Sequence, residues 1–253
     1  MIANRKLTGY VCALMMLLVC AATAMATTHT GSLTYVPGPP SDDGVQAFGA
    51  PTGNTWSQSN FTIAWTVTNE GTPMLNGYPS WQYSYALTTE STKAFSNVLI
   101  SVSTGFSLED FQAVTGGMPG WAPSEHFPKT MPTIPAASQW LKFSKPANFS
   151  DDLYTVDISF YSTRVPVWGS FFADDGKTKI DGTNYENFAY NREFCEKFEG
   201  VGLAAGTFAG YIIRPDGVSS IPPVPEPLTM VSAFLMIGGL GAYIRRRTGR
   251  AVA

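Results

Sequence analysis

Cysteine, histidine and charge are all scarce in this sequence, and each shortage removes a class of chemistry. The cysteines are Cys12, Cys20 and Cys195, and the histidines are His29 and His126. A zinc centre draws three or four ligands from His, Cys, Asp and Glu, so this supply speaks against one. A Ser-His-Asp triad could use only His126. His29 stands where the chain is expected to fray, and no Gly-x-Ser-x-Gly run accompanies either histidine. No catalytic residue and no metal ligand is therefore assigned.

Charged residues make up 14% of the chain, against about a quarter in ordinary soluble domains. Positive charge is scarcest in the middle. Arg5 and Lys6 lie at one end, and Arg245, Arg246, Arg247 and Arg250 at the other, which leaves 10 basic residues in the middle against 18 acids once Glu226 is counted with the tail. A segment near −8 does not suit nucleic acid, whose phosphates call for Lys and Arg. What the chain does have is 44% hydrophobic residues, 13% aromatics, 24 glycines and 18 prolines. That composition supports a packed core with many turns.

The N-terminal stretch MIANRKLTGYVCALMMLLVCAATAMATTHTG has the parts of a secretory signal peptide. Arg5 and Lys6 form the basic region and Leu7 to Ala22 the apolar one. Ala24-Met25-Ala26 supplies the small-x-small cleavage pattern, which predicts a mature start at Thr27. Cys12 and Cys20 leave with this peptide. Cys195 then stands alone, so the exported domain holds no internal disulfide and depends on burial for stability. Set between Phe194 and Phe198, its thiol reads as buried and inert.

At the other end, the uncharged run Leu228 to Ile244 spans roughly 25 Å as a helix, enough for a thin bilayer. Arg245, Arg246 and Arg247 follow at once and would hold that end in the cytoplasm, leaving the large domain outside. Pro225-Glu226-Pro227 precedes the run. This order of Pro-Glu-Pro, apolar helix and Arg cluster resembles the PEP-CTERM sorting signal of Gram-negative bacteria. The resemblance covers about 27 residues. It implies recognition by an exosortase, a membrane cysteine protease that cuts near the Pro-Glu-Pro and releases or transfers the protein to the surface. Tails of this kind are sometimes also named after ice-binding proteins, but the tail is an address and no evidence of ice binding.

Between the ends, period-two alternation marks strands. In FTIAWTVTNEG, Phe61, Ile63, Trp65 and Val67 share one face. WQYSYALTT places Trp81, Tyr83, Tyr85 and Leu87 together, and SNVLISVS does so for Val98, Ile100 and Val102. YTVDISFYSTR sets Tyr154, Val156, Ile158 and Phe160 against Thr155, Asp157, Ser159 and Tyr161. Further strands are expected at 165–173 and 210–214. Turns are expected at Asn76-Gly77, Asp175-Gly176, Asp181-Gly182 and Asp216-Gly217. SLEDFQAV predicts one short helix capped by Ser107 with Asp110. Residues 115–139, with five prolines, read as a long loop, and 36–55 as irregular.

The fold class is thus all-β, an antiparallel β-sandwich of jelly-roll type with one short helix. An N-terminal signal helix and a single C-terminal transmembrane helix flank it. The expected divisions are a signal peptide at 1–26, an exported domain at 27–221 and the sorting signal at 222–250. RVPVWGSFFADDGK, followed by NYENFAYNREF, resembles a stretch found in an uncharacterised group of exported PEP-CTERM proteins, which brings no known activity. Read from its residues, the first stretch is a hairpin arm with Trp168 and Phe172 on one face, turning at Asp175-Gly176.

Carboxylates occur in pairs at Asp42-Asp43, Glu109-Asp110, Asp151-Asp152 and Asp174-Asp175. Such oxygens suit Ca²⁺, and two of them could serve a glycosidase. Yet DDGKTKIDG lacks calcium-loop spacing, and turn formation accounts for it. Tryptophans could stack on sugar rings, but Trp65, Trp81 and Trp168 are expected in the core. Trp121, in the loop sequence MPGWAP, is the candidate for a ligand surface. The function expected is that of a non-enzymatic cell-surface or matrix protein that passes through the inner membrane, meets an exosortase and associates with exopolysaccharide. A lectin-like module or a polysaccharide-active enzyme is the alternative. Ice binding ranks below both, because the Thr alternation at 62–68 does not recur at a fixed period.

The sorting reading makes a direct prediction. Prolines at 225 and 227 keep that stretch extended for a protease cleft, and Glu226 holds it out of the apolar phase. In a host carrying an exosortase, intact-mass analysis of the surface form should find an N-terminus at Thr27 and no Arg cluster. Glu226→Ala and the Pro225/Pro227 double alanine should accumulate as a larger membrane-bound form. Processing of both variants like wild type would reduce the tail to a plain anchor.

Overall fold

The computed structural model describes residues 26–38, 44–70, 74–75, 78–114, 122–126, 139–145, 154–192 and 199–219. They are mostly strand, and no helix longer than a three-residue 3-10 turn occurs among them. Strands β1 (Thr28–Tyr35), β3 (Phe61–Thr68), β6 (Trp81–Thr89), β11 (Thr155–Ser162) and β8 (Phe111–Ala113) form a first sheet in the order β1-β3-β6-β11-β8. A second sheet contains β2 (Val45–Phe48), β14 (Thr183–Asn191), β13 (Phe171–Ile180), β7 (Asn97–Val102), β10 (Gln139–Ser144) and β9 (Ala122–His126), in the order β2-β14-β13-β7-β10-β9. Two ribbons complete the set. One pairs β12 (Arg164–Gly169) with β15 (Ile212–Ser219), and the other pairs β4 (Met74–Leu75) with β5 (Tyr78–Pro79). All of these strand pairs are antiparallel.

The alternation read from the sequence decides which residues enter the core. Phe61, Ile63 and Val67 are fully buried, as are Tyr83, Leu87, Ile158 and Phe160. From the second sheet, Val98, Ile100, Leu141, Phe143 and Phe171 meet them in one apolar cluster. Tyr154 departs from the expectation: it lies one residue before β11 and is 40% exposed. Burial pushes the Tyr83 and Tyr85 phenols up, so both keep their protons and donate. Tyr83 donates to the Arg164 carbonyl and Tyr85 to that of Ile213, each at 2.8 Å, which ties the first sheet to the β12–β15 ribbon.

The Asp-Gly pairs divide between two uses. Asp181-Gly182 is a two-residue hairpin turn between Ile180 and Thr183. Both residues have positive φ, at 47° and 83°, the geometry of a type I′ turn. Asp175-Gly176 and Asp216-Gly217 are not turns. They lie inside β13 and β15 where the pairing register shifts: Asp175 is the extra residue of a β-bulge beside the paired Gly176, and Asp216, Gly217 and Val218 stand opposite Val165 alone. The hairpin expected around Asp175-Gly176 is therefore absent. The chain crosses at Ser170 from β12 in the ribbon to β13 in the second sheet, so Trp168 and Phe172 fall in different clusters.

Three other expectations change. Ser107 and Asp110 do pair, but they cap only a single 3-10 turn, Leu108–Asp110, before the chain extends as β8 against β11. The stretch expected as a long loop contains β9, whose Ala122–His126 pairs with β10. Among the described residues β9 is the last strand of its sheet, an edge position where a proline such as Pro123 is tolerated. Within 36–55, β2 pairs with β14.

A buried ion pair fastens the ribbon. Arg214 on β15 is 2% exposed and donates from Nε to Glu199 Oε1 at 2.8 Å. Its Nη1 donates to Ser103 Oγ at 2.9 Å and to the Pro215 carbonyl at 2.8 Å. Glu199 also accepts from Ser101 at 2.7 Å and Ser170 at 2.8 Å, while Ser103 donates to Asp216. Gly169 makes room for the guanidinium: a Cβ there would lie 2.3 Å from Arg214 Nε. Removing one member leaves the other charge without its partner. Arg214→Met should lower the unfolding free energy by about 3 kcal/mol in urea titrations, and Gly169→Ala should also destabilise by displacing the guanidinium. Adding Glu199→Gln to Arg214→Met should recover part of the loss.

Candidate functional site

Sheet pairing collects a surface that is scattered in the sequence. On β1, β3, β6 and β11 the outward residues alternate with the core residues, and the registers align them in four rows. The first row is Thr28, Thr68, Gln82 and Tyr161, and the second is Thr30, Thr66, Ser84 and Ser159. The third is Ser32, Ala64, Ala86 and Asp157, and the fourth is Thr34, Thr62, Thr88 and Thr155. None of these residues is buried. Neighbours stand roughly 4.8 Å apart across strands and about 6.8 Å apart along them. The threonine alternation that the sequence displays in one strand is thus part of an array built from strands 28–35, 61–68, 81–89 and 155–162. No fixed sequence period is needed, because the intervening segments differ in length.

Some hydroxyls on this face hold one another. Thr28 and Thr68 share a hydrogen bond of 2.8 Å, and Thr34 and Thr62 one of 3.3 Å. Ser159 donates to Ser84 at 2.7 Å. Such cross-strand pairs stiffen the sheet surface. The hydroxyls of Thr30, Ser32, Thr66, Thr88 and Thr155 make no hydrogen bond to another described residue and face solvent.

In the third row, Ala64 and Ala86 stand directly opposite each other. Their single methyl groups leave an open depression of about 250 Å³, walled by Thr66, Ser84, Ser159 and Asp157. Its floor is apolar and its walls carry hydroxyls and one carboxylate. A shallow trough of this kind suits one unit of a polyhydroxylated chain crossing the sheet, whose C–H face meets methyls while its hydroxyls meet Thr and Ser.

A second surface competes with it. On the outward side of the second sheet, Phe48 stacks on Phe188 at 4.7 Å, Phe188 on Tyr190 at 6.0 Å and Phe172 on Phe188 at 5.8 Å. Phe48 is 39% exposed. These rings spend their faces on one another, which leaves mainly edges for a sugar. The described tryptophans are no better placed. Trp56 and Trp140 are fully buried, and Trp65 and Trp168 nearly so. Trp81 is half-buried and stacks with His29 at 6.2 Å. His29 is not frayed, since β1 pairs it with Val67.

The acidic pairs within the described residues are occupied. Asp110 accepts from Arg164 at 2.6 Å. Asp174 accepts from Asn97 Nδ2 at 2.8 Å, and Asp175 from Ser96 at 3.3 Å. Among the described residues no group of three His, Cys, Asp or Glu is placed to hold a metal ion. Thr27 exchanges hydrogen bonds with Asn69, and Ala26 just precedes it. His126 sits on β9 at the sheet edge. Ala24, Cys12, Cys20, Trp121, Cys195, Pro225, Glu226, Pro227, Arg245, Arg246 and Arg247 lie outside the described residues, as do Asn76-Gly77, Asp42-Asp43 and Asp151-Asp152. No described helix is long and apolar enough to cross a membrane, and the run 228–244 is not among the described residues. Sequence reasoning missed the hydroxyl face because its only signal is the polar half of the same alternation that marks the strands.

Comparison with known proteins gives no match, whether to a family model, a curated protein or a solved structure.

Asp174 provides a test of the local electrostatics. Burial raises its carboxyl above the ordinary value of 3.8, with Glu186 adding to the effect and Asn97 and Lys142 opposing it. The folded chain therefore keeps this proton to higher pH than the unfolded chain does. The residue's contribution to stability is fully present below the ordinary value and is lost as pH rises through the raised one. Asp174→Asn should raise the urea midpoint at neutral pH, and the gain should vanish below about pH 4.

Proposed function

We propose that this chain is a non-enzymatic exported protein with a jelly-roll-type sandwich, which binds a polysaccharide through the hydroxyl face of its first sheet. The observation that carries the reading is the aligned array of Thr and Ser on β1, β3, β6 and β11, with its alanine-floored depression. A hydroxyl-rich, nearly uncharged surface exchanges hydrogen bonds with sugar hydroxyls at little desolvation cost. One carboxylate, Asp157, stands on this array, whereas the usual glycosidase chemistry needs two flanking the scissile bond. That favours binding over hydrolysis.

Export and sorting complete the reading. The expected signal-peptide cut precedes Thr28, the first residue of β1, so maturation leaves the binding sheet whole. At the other end β15 closes at Ser219, and the Pro-Glu-Pro motif follows at Pro225. A mature domain delivered through the inner membrane to an exosortase would then be displayed or released where exopolysaccharide accumulates.

The array also gives ice binding a structural basis that the sequence alone lacks. Two features count against it. Gln82, Tyr161 and Asp157 break the lattice of small hydroxyls. Sheet twist of roughly 20–25° per strand also turns successive rows away from any flat crystal plane, whereas a flexible polymer follows the twist.

Glycan-array screening of the secreted protein, with and without Ca²⁺, followed by titration of the best ligand, tests the proposal. Ala86→Tyr fills the depression and should weaken binding at least about tenfold, a loss of about 1.4 kcal/mol. Phe48→Ala on the opposite sheet should leave it unchanged. Retained binding by Ala86→Tyr together with loss in Phe48→Ala would move the site to the aromatic ladder. Thermal hysteresis without glycan binding would favour ice.

A further inference from the structure

The binding face has an electrical asymmetry. Asp157 is the one charged side chain among the outward residues of β1, β3, β6 and β11. It is exposed, and it makes no hydrogen bond or ion pair with another described residue. By contrast Asp110, Asp174, Asp175, Glu199 and Asp216 each have a partner. Asp157 also forms a wall of the alanine-floored depression, where a bound unit would come within reach of its carboxylate.

We propose that Asp157 makes this face selective for a polymer bearing primary amines among its hydroxyls, a partly deacetylated amino-sugar chain. The inference rests on the polysaccharide reading and specifies its ligand. Charge complementarity decides the class. An ammonium group beside the depression gains an ion pair with a carboxylate that gives up no partner among the described residues. A neutral sugar meets the same methyls and hydroxyls without that gain. An anionic polymer, such as a uronate chain, meets a like charge and no compensating Lys or Arg on the array. One solvent-exposed pair gives a modest preference, about two- to fivefold per contact, and salt should screen it. A polymer with many amines presents the contact repeatedly, so the preference grows with chain length through rebinding.

The experiment measures binding of the secreted protein to four hexasaccharides: glucosamine, N-acetylglucosamine, glucose and galacturonate. The glucosamine hexamer should bind about two- to fivefold more tightly than its N-acetylated counterpart at low ionic strength, and the gap should close at about 0.5 M salt. Asp157→Asn, an isosteric change at an exposed position, should erase the gap between the two amino-sugar hexamers. Circular dichroism checks that the variant is folded. Equal binding of the two amino-sugar hexamers by wild type, or a gap that survives in Asp157→Asn, overturns the assignment to Asp157 while leaving the polysaccharide reading intact. Tightest binding to galacturonate overturns it as well. Binding of none of the four overturns this proposal and, with a blank glycan array, the polysaccharide reading beneath it.

Discussion

Register is the constraint on which this structure depends. In the first sheet Thr30, Thr66, Ser84 and Ser159 stand in line, and one residue further along β3, β6 and β11 the side chains of Val67, Tyr85 and Phe160 are buried. A slip of one residue in any of these strands would turn its apolar set to water and its hydroxyls into the core. The apolar cost of such a slip is large: Ile63, Val67, Leu87, Ile158 and Phe160 are all fully buried. The core therefore specifies the surface array, although no contact on the surface needs to be strong. Hydrogen bonds such as Ser159 to Ser84 refine an alignment that burial has already imposed.

The β12–β15 ribbon is held by a different kind of force. Among the described residues it has two strands, with prolines facing each other at Pro166 and Pro215, and further backbone pairing of Trp168 with Gly200 and Val201. Polar groups add to this. Tyr83 and Tyr85 reach it from the first sheet, while Ser101 and Ser170 join Glu199 and Arg214 from the second sheet's side. Each charged or hydroxyl group there has a partner, which is the condition under which a buried polar network orders a core instead of weakening it.

Much of the strand content was legible in the sequence, because alternation in FTIAWTVT or TVDISFYS reports directly on which side is buried. Short or proline-bearing strands were not. β2 has four residues, and β9 carries Pro123, so neither shows a usable period. Asp-Gly was ambiguous for a physical reason. The same backbone freedom serves a hairpin at Asp181-Gly182 and a bulge at Asp175-Gly176, and only the partner strand distinguishes them. The candidate site was hidden more deeply. Threonine 34 and threonine 155 belong to one row although more than a hundred residues separate them, and nothing local signals that they meet. The paired alanines were equally silent, since the importance of Ala64 lies in standing opposite Ala86.

The strict alternation on β1, β3, β6 and β11 has an evolutionary meaning. Every second position answers to the packed interior, and the positions between answer only to what lies outside. Substitutions at Thr66, Ser84 or Asp157 change the surface chemistry without asking any interior side chain to move. Such a sheet can change its surface chemistry through viable intermediates, each folded like the last. A lineage under changing external demands would keep the scaffold and rewrite the face.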